Sequence, residues 1–410
     1  MTAMKAADDP PVAIRDAGPG VRDAVHIRDV RLVERDGWTE LSASVDGDML
    51  RFRFPRAVQL EARAEAFVGP ALFEAMVRNV PLVIDDPAPL SRALHTRLND
   101  IQRVFATWNG ELAVVPIEAR RLDEPPGTDE VLACFSGGID STYTYGTHRD
   151  RVTQLLLIEG FAAGRGGERD WEGNVAARAR FAGEEGRQLI AVGSNVRGWL
   201  AKRELSLLLT HGAILCSIAA TLRPSCFLVP ASHTADELAP WGSHPLVDPL
   251  WSTPATEVIH HGFTVARTEK TRALCPDQRL LDQLQVCWFA GSRNCGECGK
   301  CMRTALTLQL LGARSASLKP YTHRAQLALL KPTDQSHVHF LNEIIWLATE
   351  VGRHDIADIL RGYVRRFQIL RASGDLVREL AGARAIRLWH RARPHAWHKA
   401  RGLLRPRADA

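Results

Sequence analysis

No stretch of the 410-residue chain comes near the ~18 to 20 consecutive apolar residues that cross a bilayer, which excludes a membrane-spanning helix. Met1–Arg22 is rich in Ala, Asp, Pro and Gly and lacks the apolar core of a signal peptide, so a cytoplasmic location is expected. No Gly-Lys-Ser/Thr follows the glycine pair at 137 and 138, and no Gly-x-Gly-x-x-Gly stands there, which removes the Walker and dinucleotide loops. No repeat recurs at a solenoid period. Acidic residues are missing from Ala381 to Ala408, where eight Arg and Lys accumulate; with Asp409 the segment 381–410 carries +7 and leaves −2 for the rest. Otherwise 45% hydrophobic and 24% charged residues are ordinary for a globular chain, here long enough for two or three domains.

What is present begins at residue 131. The apolar run Val131–Phe135 leads into Ser-Gly-Gly-Ile-Asp-Ser (136–141), and a helix-compatible stretch follows. Glycines let main-chain N–H groups approach an anion, and the start of a helix offers unpaired N–H groups. Ser136 and Ser141 can donate to phosphate oxygens. Asp140 would repel bare phosphate, so its presence predicts a bridging Mg²⁺. The hexapeptide resembles the pyrophosphate loop, SGGxDS, of the N-type ATP pyrophosphatases. That resemblance implies cleavage of ATP between the α and β phosphates and an adenylated substrate.

The pattern along the chain predicts a lead-in over 1–25 without order and an N-terminal α+β domain over 26–125. Short strands are expected at Val30–Val33, Leu41–Val45 and Leu50–Phe54, with turns at Asp36-Gly37 and Asp46-Gly47. A short helix at Ala71–Val77, a strand at Leu82–Ile84, a helix capped by Ser91 and a strand at Leu112–Ile117 complete that domain. Over 126–312 strands alternate with helices, at Val131–Phe135, Gln154–Ile158, Gln188–Val192 and Cys226–Val229. This order predicts an α/β fold with a doubly wound parallel sheet and ligand loops at the strands' carboxyl ends, and the resemblance implies the adenine nucleotide alpha hydrolase-like form of it. Residues 313–380 read as a helical region and 381–410 as a basic tail.

Four of the eight cysteines, Cys287, Cys295, Cys298 and Cys301, form C-x7-C-x2-C-x2-C with Gly296 and Gly299 interposed. Four thiolates at this spacing suit tetrahedral Zn²⁺, and an iron–sulfur cluster is the competing ligand set. Residues 295–303, Cys-Gly-Glu-Cys-Gly-Lys-Cys-Met-Arg, resemble the CGxCxxCxxR motif of 7-cyano-7-deazaguanine synthases. In that family the zinc is structural and an upstream cysteine, here Cys287, completes the site. The likeness covers roughly residues 130 to 312.

Within the superfamily, the position of Glu159 and Gly160 faces the adenine. Asn195 and Arg197 follow the third strand, and Lys270, in Arg267–Thr271, resembles a late lysine that contacts phosphate. His233, Asp236, His244 and Asp248 lie near the same sheet edge as candidate acid/base groups. Cys134 reads as a small buried hydrophobe rather than a sulfur carrier.

Together with the resemblance, these residues imply an ATP-dependent, AMP-forming enzyme that adenylates a substrate carboxylate or carbonyl oxygen and transfers a nitrogen nucleophile to it. The alternatives are sulfur transfer to a nucleobase, tRNA or small metabolite, and a nucleotide- or RNA-binding protein without turnover. The partners implied are ATP and an acceptor that the sequence leaves unidentified. A homodimer is compatible with the chain, and nucleic acid is the less favoured partner of the basic tail.

Overall fold

The computed structural model describes residues 24–372, apart from 86–87, 125, 162–167 and 288–292. The basic tail, residues 373–380 and all but the last two residues of the expected lead-in therefore lie outside the described residues. Those two, Ala24 and Val25, are buried, and Val25 already opens the first strand.

In chain order, β1 (Val25–Arg35), β2 (Trp38–Val45) and β3 (Asp48–Pro55) form an antiparallel meander. Its turns hold Gly37 and Gly47 in the left-handed region, as the Asp-Gly pairs predict. α1 (Glu65–Arg78), β4 (Leu82–Ile84), β5 (Leu90–Ser91), α2 (Arg92–Trp108), β6 (Ile117–Glu118) and β7 (Arg121–Leu122) follow. The alternating part then runs β8 (Thr128–Cys134), α3 (Ile139–Thr147), β9 (Gln154–Ile158), α4 (Glu168–Glu184), β10 (Gln188–Ser194), α5 (Val196–Lys202), α6 (Leu207–Leu222), β11 (Pro224–Pro230) and β12 (Glu257–His261). α7 (Arg267–Leu274), α8 (Gln278–Asp282), α9 (Gly299–Leu310), α10 (Gln335–Glu350) and a helix over 354–372 complete the described chain. None of these helices is long and apolar enough to cross a membrane.

The fold is α/β, built on a ten-stranded sheet in the order β12-β11-β8-β9-β10-β3-β2-β1-β4-β6. Strands β12 to β10 are all parallel. Within that group the order reverses between β8 and β11, so the loop leaving β8 stands where neighbouring connections diverge to opposite sides. Both faces are covered, which explains the unbroken apolar runs. Leu156, Ile158, Val192 and Val229 point into one core; Val131, Ala133, Leu155 and Leu228 point into the other.

The N-terminal meander continues this sheet instead of standing apart from it. β3 pairs antiparallel with β10 through Arg53–Gly193 and Phe52–Ser194, and the first core contains residues from both parts. α1 lies against α6 so closely that a Cβ on Gly69 would come 2.8 Å from the Ala213 carbonyl oxygen. The Gly69 N–H donates to Ser217 Oγ at 3.0 Å. This packing carries α1 through Gly69-Pro70, so the helix begins at Glu65 and not at Ala71.

The strand expected at Leu112–Ile117 shrinks to Ile117–Glu118. Gln102 replaces the missing strand partner: its Oε1 accepts from Val115 N–H and its Nε2 donates to the Val115 carbonyl. Beyond Ala313 the chain is less helical than expected, with a short 3-10 turn at Arg324–Leu330 before α10.

Candidate functional site

The loop after β8 is tied into the sheet at both ends. Phe135 N–H donates to the Leu156 carbonyl at 2.8 Å, and the Gln285 N–H donates to the Gly137 carbonyl at 2.7 Å. Gly137 has φ +80, a conformation that favours glycine, and any Cβ there would collide with the Arg178 guanidinium. Gly138 caps α3, Ser141 Oγ donates to its carbonyl, and the Ser136 and Ser141 hydroxyls lie 3.2 Å apart. The hexapeptide thus forms a turn with both hydroxyls gathered at the start of a helix.

Arg178, from α4, lies beneath this turn. It donates to the carbonyls of Ser136 at 3.1 Å and Gln283 at 3.0 Å. Only 4% of the residue is exposed, and burial pushes its pKa down to about 10.

Asp140, in the first turn of α3, meets two cations of α7. Arg267 pairs with both carboxylate oxygens, and Lys270 Nζ lies 3.2 Å from Oδ1. Lys270 is only 2% exposed and also donates to the Ala231 carbonyl at 2.7 Å, which fixes its ammonium against the end of β11. Burial would raise the Asp140 pKa, but the charges of Arg267 and Lys270 outweigh it and hold the carboxyl below its ordinary value.

Two further cations come from α9, the helix that the cysteine cluster begins. Burial, reinforced by Arg267 and Arg303, holds Lys300 well below the usual lysine range. Arg303 is brought to about 9 by burial and the Arg267 charge, and its guanidinium stacks 4.0 Å from the centroid of Phe340 on α10. Arg267 stacks on the same ring at 4.5 Å.

Cys287, Cys295, Cys298 and Cys301 come together, with their sulfurs all within 4.8 Å of one another. Cys298 is the N-cap of α9 and accepts from the Cys301 N–H at 3.4 Å. The Cys301 thiol, together with that contact, draws its pKa down to about 5. Asn294 braces the other arm: its Oδ1 accepts from the N–H groups of Val286 and Cys287, and its amide donates to the Leu284 and Ser317 carbonyls. Gly296 turns the chain at φ +74. This set of four sulfurs can hold a metal ion such as zinc.

The remaining predicted residues have varied placements. Glu159 Oε2 accepts from Ser194 N–H at 2.8 Å, joining the ends of β9 and β10, and Gly160 follows at φ +87. Arg197 packs over Gly160. Asn195 is engaged elsewhere: its amide group accepts from Arg51 N–H and donates to the Met49 carbonyl, stapling the meander to the central sheet.

Asp248 is fully buried and accepts from Ser243 Oγ, His244 N–H and His260 Nδ1. His244 packs edge-on against Trp108. His233, lowered by burial and by the Arg267 charge, lies 3.6 Å from Glu237, and Asp236 stands beside that pair in a short 3-10 turn. Burial pushes the Cys134 thiol up to about 12, which keeps it protonated.

Sequence reasoning missed Arg178, Arg267, Arg303 and Phe340. Arg303 alone had a visible signal, its fixed distance from the cysteines. No family model, no curated protein and no solved structure matches the chain.

Proposed function

We propose that this chain is an ATP-dependent, AMP-forming enzyme of the N-type ATP pyrophosphatase kind, with an adenine nucleotide alpha hydrolase-like fold. In this reading it works in the manner of the 7-cyano-7-deazaguanine synthases, whose cysteine motif residues 295–303 resemble. One observation carries the proposal: the Ser136–Ser141 turn leaves β8 at the point of reversal in the strand order, and Arg267 and Lys270 converge on its carboxylate.

In this reading ATP lies across the carboxyl edge of the parallel strands, with its β and γ phosphates against the N–H groups and hydroxyls of the turn. An acceptor oxygen attacks the α phosphorus, the bond to the β-phosphate oxygen breaks, and pyrophosphate leaves. A nitrogen nucleophile then adds to the activated carbon, and AMP departs with the acceptor oxygen. The protein's part is positioning and charge. Lys270, anchored on the Ala231 carbonyl, meets the negative charge that grows on the leaving pyrophosphate. Arg267 is shared between Asp140 and the phosphates. Arg178 holds the turn in shape from below.

A Mg²⁺ carried in by ATP would offset phosphate charge. Asp140 is the carboxylate available to it, in competition with Arg267 and Lys270, which already balance that charge. A metal bound by Cys287, Cys295, Cys298 and Cys301 would fix α9 to the preceding loop and is assigned a structural role.

Sulfur transfer through Cys134 is disfavoured, because its thiol is buried and held protonated. The test is product identity: ATP incubated with candidate acids and ammonium should give AMP and pyrophosphate. Appearance of ADP alone would refute the proposal. Metal analysis should find one zinc per chain; iron with visible absorbance would favour sulfur chemistry.

A further inference from the structure

Between α7, α9 and α10 lies a cavity of about 10 Å³, the room of a single oxygen atom. Ile139, Arg267, Arg303, Thr304, Phe340 and Glu343 help line it. Ile139 is the first residue of α3, so the cavity opens directly beside the Ser136–Ser141 turn.

Arg303 has no polar partner there. Its guanidinium makes no hydrogen bond or ion pair among the described residues, and its Nε is sealed from solvent. The nearby carboxylates are spent elsewhere: Asp140 on Arg267 and Lys270, and Glu343 Oε2 on the N–H of Thr268 at 2.9 Å. Stacking on Phe340 holds the guanidinium in place but satisfies none of its five donors. An Nε–H sealed from solvent without an acceptor is costly, and native proteins keep one where a ligand completes it. A guanidinium donates only, so that ligand is an oxyanion.

We propose that Arg303 is a phosphate ligand of the Ser136–Ser141 turn, taking an oxygen of a nucleotide's pyrophosphate group in the cavity beside Ile139. This rests on the reading of the turn as the ATP site. It adds a residue from α9, whose first turn contains Cys301 and whose N-cap is Cys298. The cysteine centre therefore sets where this phosphate contact stands.

The test is calorimetric binding of inorganic pyrophosphate, with Mg²⁺, to the full metal-loaded chain and to Arg303→Met and Arg303→Lys. Arg303→Met should bind at least about tenfold more weakly. Arg303→Lys should fall between, because it keeps the charge and loses the planar fork. The unliganded Arg303→Met protein should melt at or above the wild-type temperature, since a half-buried charge with a sealed, partnerless Nε has been removed. A purely structural arginine would instead lower the melting temperature and leave pyrophosphate affinity unchanged, and that pair of results overturns the proposal. If Arg303→Met does not fold, Arg303→Lys decides: wild-type affinity in that variant overturns it, and a severalfold loss supports it. Failure of the wild-type chain to bind pyrophosphate would refute the ATP-site reading itself and this proposal with it. Binding that is intact in the wild type and unmoved in both variants would refute only the role of Arg303.

Discussion

Asp140 and Asp248 are both acids on the carboxyl side of the parallel strands, the first half-buried and the second fully buried, and the chain treats them in opposite ways. Asp248 is fully enclosed and saturated: a serine hydroxyl, a main-chain N–H and the ring of His260 take its oxygens. Asp140 sits between two cations, with Arg267 and Lys270 in contact and Arg303 within electrostatic reach. A closed network of this kind maintains a fold. A carboxylate held between two cations at the start of a helix is instead the charge pattern expected where a polyanion binds.

Removing each acid should separate the two roles. Asp248→Ala leaves buried donors without an acceptor and should cost about 3 to 5 kcal/mol in urea unfolding. A loss below about 1 kcal/mol would mean that Asp248 is not structural. Asp140→Asn should lower the rate of pyrophosphate release by about 10²- to 10³-fold, a loss far larger than its effect on folding explains, because Lys270 keeps the Ala231 carbonyl as a partner. Equal damage to activity and stability would erase the distinction between the two sites.

A third variant sharpens the contrast through pH. His261 on β12 accepts from or donates to Thr144 Oγ1 at 3.1 Å. Burial, aided by the neighbouring charge of His148, lowers its pKa from 6.5 to about 4. The folded pKa is depressed, so its contribution to stability is complete above the unfolded value of 6.5 and is lost as pH falls towards 4. Between pH 7.5 and 4.5 the unfolding free energy should drop by about 2 to 3 kcal/mol on this account. His261→Gln should flatten that limb, and a parallel curve would show that another group carries it. The smallest expected effect is at Gly137→Ala, where the left-handed backbone and the contact with Arg178 should cost about 1 to 2 kcal/mol and weaken pyrophosphate binding.

Local chemistry explains which parts were legible beforehand. The strands β8 to β11 are buried on both faces and appear as apolar runs, and Ser136–Ser141 and the cysteines are contiguous motifs that need no fold to be noticed. The loop's cations come from α4, α7 and α9, which lie far apart in sequence, and a surface arginine and Arg178 look alike until α4 is packed beneath the turn. Tertiary contact also overruled propensity at Gly69-Pro70, and the side chain of Gln102 took the hydrogen bonds that Leu112–Ile117 would have given a strand. The two candidate residue sets were therefore visible, but the positive charge that joins them was not.

We propose that ATP is split between its α and β phosphates at the Ser136–Ser141 turn. Exchange of radiolabelled pyrophosphate into ATP tests it most directly, with the small-molecule fraction of a cell extract supplying acceptors. Label should enter ATP with wild-type protein and fail to enter with Asp140→Asn. Release of γ-phosphate as orthophosphate with ADP, and no exchange, would contradict the account.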